Sequence, residues 1–422
     1  MDKQNSKYRW LVFACVMFTY LLMASQRTAP GLITDQVMRD FHVTASTIGL
    51  LTSIQFLIYT GLQIPMGLMS DRFGPNYFLV VGASVTGVGI IIYSLGTHEL
   101  VLFLARMLIG LGDATIWVNL VLILGQWFTN KEFVRLIGLA GMTGSLGFLL
   151  ATVPFAAWID FLGWRGAFFS AGLLLCISGI VLFFVLVSKP KKLFTDEMKV
   201  EVSNVDREKT GALLRKIFSS RQAWALFCCH FGVVGAYVGF ISSWAVPYGM
   251  NVYEMTRSVA SQLIMVGLIG ALIGAPVTSW ISSRLNKIKQ PYLVVQLVIL
   301  CSWCCFLLFK GHPPQYLLII LFFIIGYGFG ASALTFAAVR RSFPSTESGI
   351  VSGFANTGGF LSAVLLPMIF GAILDYSKEV LGSIHAGYAY SFIIPALFSI
   401  VGVIGVMSYK EKHQLSGNNG AV

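Results

Sequence analysis

Four ionisable side chains stand inside long apolar runs of this chain: Arg27, Arg106, Asp113 and His230. Charged or titratable groups are costly at membrane depth, so each is a candidate for handling an ion, a proton or a polar solute. A guanidinium presents a planar fork of donors that matches a carboxylate or a phosphate. That makes Arg27 a candidate reader of an anion. The alternative is an interfacial Arg whose head snorkels to the membrane surface. Tyr20, seven residues earlier, shares its helical face. Arg106 and Asp113 are also seven apart, with Gly110 between them on one face. A separation of roughly 10 Å along a helix axis keeps them from pairing directly. Asp113 is the one acid deep in an apolar run, where a carboxyl could carry a coupling proton. Its alternative is a permanent ion pair with Arg106 or Arg27 on a neighbouring helix.

Neutral polar residues add two stripes. His230, Tyr237 and Trp244 recur every seven residues, with Gly232, Gly235 and Gly239 among them. They read either as a substrate-lining or gating face, or as a helix-packing face with a hydrogen-bonded His. Gln55, Tyr59 and Gln63 form a similar stripe, and Asn356 marks a later segment. Such groups hydrogen-bond a polar solute or a partner helix. No Walker loop, zinc pattern or Ser/His/Asp set in plausible context occurs, so no enzyme activity, cofactor or metal is expected. All seven Cys lie in apolar runs, and the Cys301-x-x-Cys304 spacing has no second pair, which favours packing over metal binding.

The elements that carry these residues follow from composition. The chain is 56% hydrophobic and 11% charged over 422 residues, against roughly 25% charged in soluble domains. Repeated apolar runs of about 20 residues are long enough to cross a bilayer. Helices are expected, because every backbone group must be satisfied within the segment. Twelve segments are predicted at about 9–33, 43–67, 77–96, 100–127, 136–159, 166–188, 222–247, 258–282, 291–310, 315–339, 349–374 and 387–409. The first lacks a small-residue cleavage site and reads as a retained helix. A polar linker rich in Lys and Arg, 189–221, divides a six-helix bundle at 1–188 from a second at 222–422. Of 29 Lys and Arg, five fall in one set of turns (Arg39, Arg165, Arg257, Lys310, Lys378), and two, Arg27 and Arg106, inside helices. The rest lie at the termini, the linker and the opposite turns, so that side is expected to be cytoplasmic. This bias also accounts for the net charge of +11 without nucleic-acid binding. Short opposite loops and the lack of an Asn-x-Ser/Thr sequon suit a bacterial plasma or inner membrane protein.

The halves repeat weakly at an offset of 212 residues. Arg72 falls on Arg284, and Gly141…Gly147-Phe148-Leu149…Ala151 falls on Gly353…Gly359-Phe360-Leu361…Ala363. A parallel repeat implies a two-fold axis along the membrane normal and a site between the halves. The polar turn Gly67-Leu-Met-Ser-Asp71-Arg72-Phe73-Gly74-Pro75 resembles the signature loop of the major facilitator superfamily of transporters. Arg106-x-x-x-Gly110-x-Gly112 is similar to that family's fourth-helix motif, which implies that Arg106 is either structural or part of a proton relay with Asp113, and Asp160-Phe-Leu-Gly-Trp-Arg165 is similar to the external turn of its anion-transporting branches. Arg27-Thr-Ala-Pro30, Gln63-Ile-Pro65 and Trp244-Ala-Val-Pro247-Tyr248 look similar to bacterial carriers of organic anions and amino acids. Gly144 is followed by Ser145, not by the Pro usual in drug-efflux members, which counts against efflux.

The resemblance implies an all-α, twelve-helix secondary transporter with a central cavity and alternating access. Gly67, Asp71, Arg72, Gly74 and Arg284 would govern the conformational cycle. A small anionic or zwitterionic solute, an organic acid or amino acid, would bind near Arg27, Tyr20, Gln55, Tyr59, His230, Tyr237, Trp244 and Asn356. Proton-coupled uptake by a monomer in the lipid bilayer is expected. The rivals are a proton-driven exporter of drugs or lipids, which favours an acid in the first helix, and a non-transporting solute sensor, which favours a large appended domain.

Overall fold

The computed structural model describes residues 6–189 and 215–411. Most of the 189–221 linker lies outside them. Among the described residues there are helices and no strand. In the first half, α1 (Tyr8–Leu32, including a 3₁₀ turn at Ala29–Leu32), α2 (Ala45–Phe73), α3 (Pro75–Leu95) and α4 (Glu99–Trp127) are long and apolar enough to span a membrane, while in α5 (Asn130–Leu150) the apolar stretch covers only Leu139–Leu150, so eleven of the twelve expected spans meet that length among the described residues. A helix over Val153–Leu182 follows, and Gly163 at φ 70° and ψ 162° divides it. Its first part prolongs α5. The remainder, continued by a π-helical Phe183–Ser188, is α6. The second half holds α7 (Arg221–Ser243), α8 (Arg257–Leu285), α9 (Lys289–Leu308), α10 (Gln315–Ser342), α11 (Ser345–Leu381) and α12 (Ile384–Ser408).

Two expected boundaries move. The polar turn at 67–75 shrinks to one residue, because α2 runs on through Asp71 and Arg72 to Phe73. Only Gly74, at φ 87°, leaves helical space, and Pro75 starts α3 with its fixed φ and no N–H to lose. Gly67 is therefore helical, and the side chains of Asp71 and Arg72 lie outside the described residues. The fifth segment starts earlier than 136 and is broken in the middle. A capping box between Thr129 and Glu132 opens α5 at Asn130. The chain then leaves helical geometry at Thr152, just before Pro154 enters the next helix's first turn.

Packing follows small residues. A Cβ at Gly326 on α10 would lie 1.8 Å from the Gly267 carbonyl oxygen on α8. These backbones touch, as close helix pairs in lipid do through Gly. Between the halves, α2 packs along α11 and α5 crosses α8.

Candidate functional site

Gly110 sets the first polar centre. A Cβ there would sit 2.6 Å from the Gln55 carbonyl oxygen, so α4 and α2 are in backbone contact. One turn away, Arg106 donates from Nη1 to Gln55 Oε1 at 2.8 Å and lies 4.5 Å over the Tyr93 ring. Arg106 is 3% exposed, and its Nε and Gln55 Nε2 have no hydrogen-bond partner. No carboxylate among the described residues pairs with this buried cation.

The second centre joins α1 to α4. Arg27 donates from Nε to Asp113 Oδ2 at 2.8 Å and from Nη2 to Oδ1 at 3.1 Å, a parallel two-bond fork. Both side chains are buried. The guanidinium carbon lies 4.7 Å over the Tyr59 ring. Tyr59 touches Phe360 of the other half, with ring centres 4.6 Å apart. Tyr20 packs on Trp117 and against Gly144 of α5. Of the two alternatives for Asp113, this conformation therefore displays the ion pair, with Arg27 as partner. Arg27 is no snorkelling residue: it is turned inward and 8% exposed.

The stripe on α7 is split. A π turn at Phe231–Gly235 lies between His230 and Tyr237 and rotates the faces that follow. His230 Nδ1 is 3.3 Å from Thr335 Oγ1 on α10, with the Asn356 amide also in hydrogen-bonding reach of the ring. Tyr237 stacks on Phe329, and its hydroxyl has no partner. Trp244 donates from Nε1 to the Pro367 carbonyl at 3.1 Å and stacks on Phe370. The π turn frees carbonyls that side chains then satisfy. Cys229 O accepts from Gln296 Nε2 at 2.8 Å, and Phe231 O from Ser362 Oγ at 2.7 Å. Tyr292 completes the cluster, its hydroxyl 2.8 Å from Thr335 Oγ1. Tyr292, Gln296 and Thr335 escaped sequence reasoning. They are neutral, and a search for ionisable groups in apolar runs passes over them.

The halves meet at one end. Arg257 on α8 donates from Nε to Leu32 O at 2.7 Å and pairs with Asp35 at 3.3 Å and Asp160 at 3.5 Å. Asp375 at the end of α11 accepts from the Ala45 and Ser46 N–H groups at 2.9 and 2.7 Å, capping α2 from across the interface. Thr34 Oγ1 donates to Ser243 O at 3.0 Å, and Ser243 Oγ to Thr52 at 2.9 Å. A Cβ at Gly49 would lie 2.2 Å from the Pro367 carbonyl oxygen. Past the Tyr59–Phe360 contact the interface parts. Gly61, Gly141, Gly349 and Gly353 have nothing within 4 Å of where a Cβ would stand. All four are exposed and lie toward the end that holds both described termini. At that end Arg284 is exposed, its guanidinium 5.5 Å over Trp280.

A family model described as Major Facilitator Superfamily matches residues 12–367. The chain belongs to the Major Facilitator Superfamily. It is 22% identical to a probable hexose phosphate transport protein of Chlamydia muridarum, over 85% of this chain and 84% of the relative. It is also 22% identical to a probable L-galactonate transporter of Escherichia coli K12, over 91% of this chain and 87% of the relative. A bacterial homologue of the lysosomal transporter Spinster, solved in an inward-facing, unoccupied conformation, superposes with a TM-score of 0.78 at 16% identity. That match spans 96% of this chain and 98% of the other. The superfamily chain described here is thus a multi-pass membrane transporter whose substrates are small molecules.

Proposed function

We propose that this superfamily member takes up a small organic anion together with a proton, with sugar acids and sugar phosphates as the first classes to test. One observation carries the reading: the buried two-bond fork between Arg27 and Asp113, beside the interface of the halves. A carboxylate or phosphate can replace Asp113 on the guanidinium, since it offers the same pair of acceptor oxygens. Ionised Asp113 opposes that exchange by competing for Arg27. A proton on Asp113 removes the competitor. Anion and proton then favour each other's binding, and this mutual coupling is what symport requires. The names of two relatives, a probable hexose phosphate transport protein and a probable L-galactonate transporter, support solutes of this chemistry. Tyr20, Tyr59, Gln55, His230, Tyr237, Trp244 and Asn356 supply donors and rings for the hydroxylated remainder of the solute. With six-helix bundles at 1–188 and 222–422 joined by a cytoplasmic linker at 189–221, the transport cleft lies between the bundles and opens to the cytoplasm of a plasma or inner membrane, a reading that the open space at Gly61, Gly141, Gly349 and Gly353 supports. Gly67, Asp71, Arg72, Gly74 and Arg284 act in the conformational cycle at that end, and a monomer contains the whole site.

The test is a thermal-shift panel of aldonates, aldarates and sugar phosphates against their neutral parent sugars, followed by uptake into proteoliposomes. An anion should raise the melting temperature where its neutral parent does not. A pH gradient, acid outside, should drive its accumulation. Asp113→Asn should keep exchange between equal pools and lose that accumulation. Equal shifts by neutral and anionic forms would remove Arg27 as the anion reader, and gradient-driven uptake in Asp113→Asn would remove the proton role.

A further inference from the structure

Away from the central interface, α8 and α9 diverge on the outer surface of the second half and leave a cavity of about 570 Å³, floored by α10. Its walls are apolar: Ile281, Leu285, Val294, Val298 and Ile324. The two polar atoms at its floor satisfy each other, Thr278 Oγ1 donating to the Tyr327 hydroxyl at 2.9 Å. The lining runs along α9 from Gln290 to Ile299, about 14 Å at 1.5 Å per residue. That is close to half the roughly 30 Å hydrocarbon thickness of a bilayer, hence the depth of one leaflet.

The mouth is basic. The turn after α8 ends in left-handed Asn286, and Ser282 Oγ ties it by donating to Lys287 O at 2.7 Å. Arg284 precedes the lining residue Leu285 and rests on exposed Trp280, which does not line the groove. The nearby charges are committed elsewhere. Glu411 accepts from the Ile288 and Lys289 N–H groups and pairs with Arg341, while Lys289 Nζ donates to the Met407 and Tyr409 carbonyls. Arg284 and Lys287 have no carboxylate partner among the described residues.

We propose that this groove holds one acyl chain of an anionic phospholipid, its phosphate held by Arg284 and Lys287. Groove depth fits a chain that begins at the membrane surface and stops near the midplane. The cations at the surface end match an acidic headgroup, as basic pockets between membrane helices do. The site is separate from the transport cleft and does not depend on the proposed substrate.

Native mass spectrometry of the detergent-purified full chain tests it, with phosphatidylglycerol and phosphatidylcholine of identical chains. The wild type should retain one phosphatidylglycerol in preference to phosphatidylcholine. Arg284→Gln with Lys287→Gln, both changes near the surface, should lower that retention about tenfold and leave phosphatidylcholine unchanged. Val294→Trp should fill the groove and remove the bound lipid while the charges stay. Excess inorganic phosphate should not displace the lipid. Equal retention of both lipids by the wild type, an unchanged double variant, an unchanged Val294→Trp protein, or displacement by phosphate alone would each overturn the proposal.

Discussion

The interiors of the two halves are built from different chemistry. The first half buries two guanidinium groups and a carboxylate, Arg27, Arg106 and Asp113. Among the described residues, the second half buries no Asp, Glu, Lys or Arg. Its polar centre is an imidazole, hydroxyls and amides: His230, Tyr292, Thr335 and Gln296. The same repeat thus yields one half with buried charge and one with buried neutral hydrogen bonds. Breaking an ion pair in a low-dielectric setting strands a charge, whereas breaking a neutral hydrogen bond strands only a dipole. Matched substitutions in the two halves should therefore differ in size.

The largest effect is expected at Arg27. Arg27→Ala leaves Asp113 buried and unpaired and should destabilise the protein by about 3–5 kcal/mol and abolish uptake. Replacing both partners with Leu should recover much of the stability without recovering uptake. Thermal unfolding in detergent beside a transport assay separates the two, and a single variant as stable as wild type would refute the pair's structural role. Arg106→Gln comes next. It removes a charged hydrogen bond to Gln55 and the stacking on Tyr93, at about 1.5–3 kcal/mol, read by the same unfolding assay.

Asp375 joins the halves, so its loss should move the balance between them more than it moves stability. Asp375→Asn weakens a charged cap on α2 by about 1 kcal/mol. The expected readout is faster thiol labelling of a cysteine placed at Ser46, in an otherwise cysteine-free background. Unchanged labelling would show that Asp375 does not hold this end closed. The smallest effect is expected in the second half. Tyr292→Phe removes one neutral hydrogen bond to Thr335, costs about 1 kcal/mol, and should leave the pH dependence of uptake untouched. A shifted pH profile in Tyr292→Phe would erase the contrast between the halves.

Much of the scaffold is legible in the chain, and less of the site. Long apolar runs announce themselves because lipid tolerates little else, and Gly74-Pro75 marks a turn because left-handed backbone and a fixed φ are chemical properties of those residues. The helical extension through Asp71 and Arg72 is not legible, since polar residues beyond a membrane span read equally as turn or helix. Asp375 and Arg257 lie near helix ends, where a charge is unremarkable until its partner across the interface is known.

Arg27 and Asp113 show where the division falls. Sequence alone determined that both sit within apolar segments and that each needed a partner, because a buried charge without one is too costly to keep. Sequence left both Arg106 and Arg27 open as partners for Asp113, although a spacing of roughly 10 Å along one helix keeps Arg106 from a direct contact. The tertiary structure decided that Arg27 and Asp113 pair with each other across 86 residues of chain. It also decided that Arg106 is left to Gln55 and Tyr93. Those choices rest on which helix faces meet. Glycines such as Gly110 fix that by letting backbones touch, and helical periodicity within one segment carries no record of its neighbour.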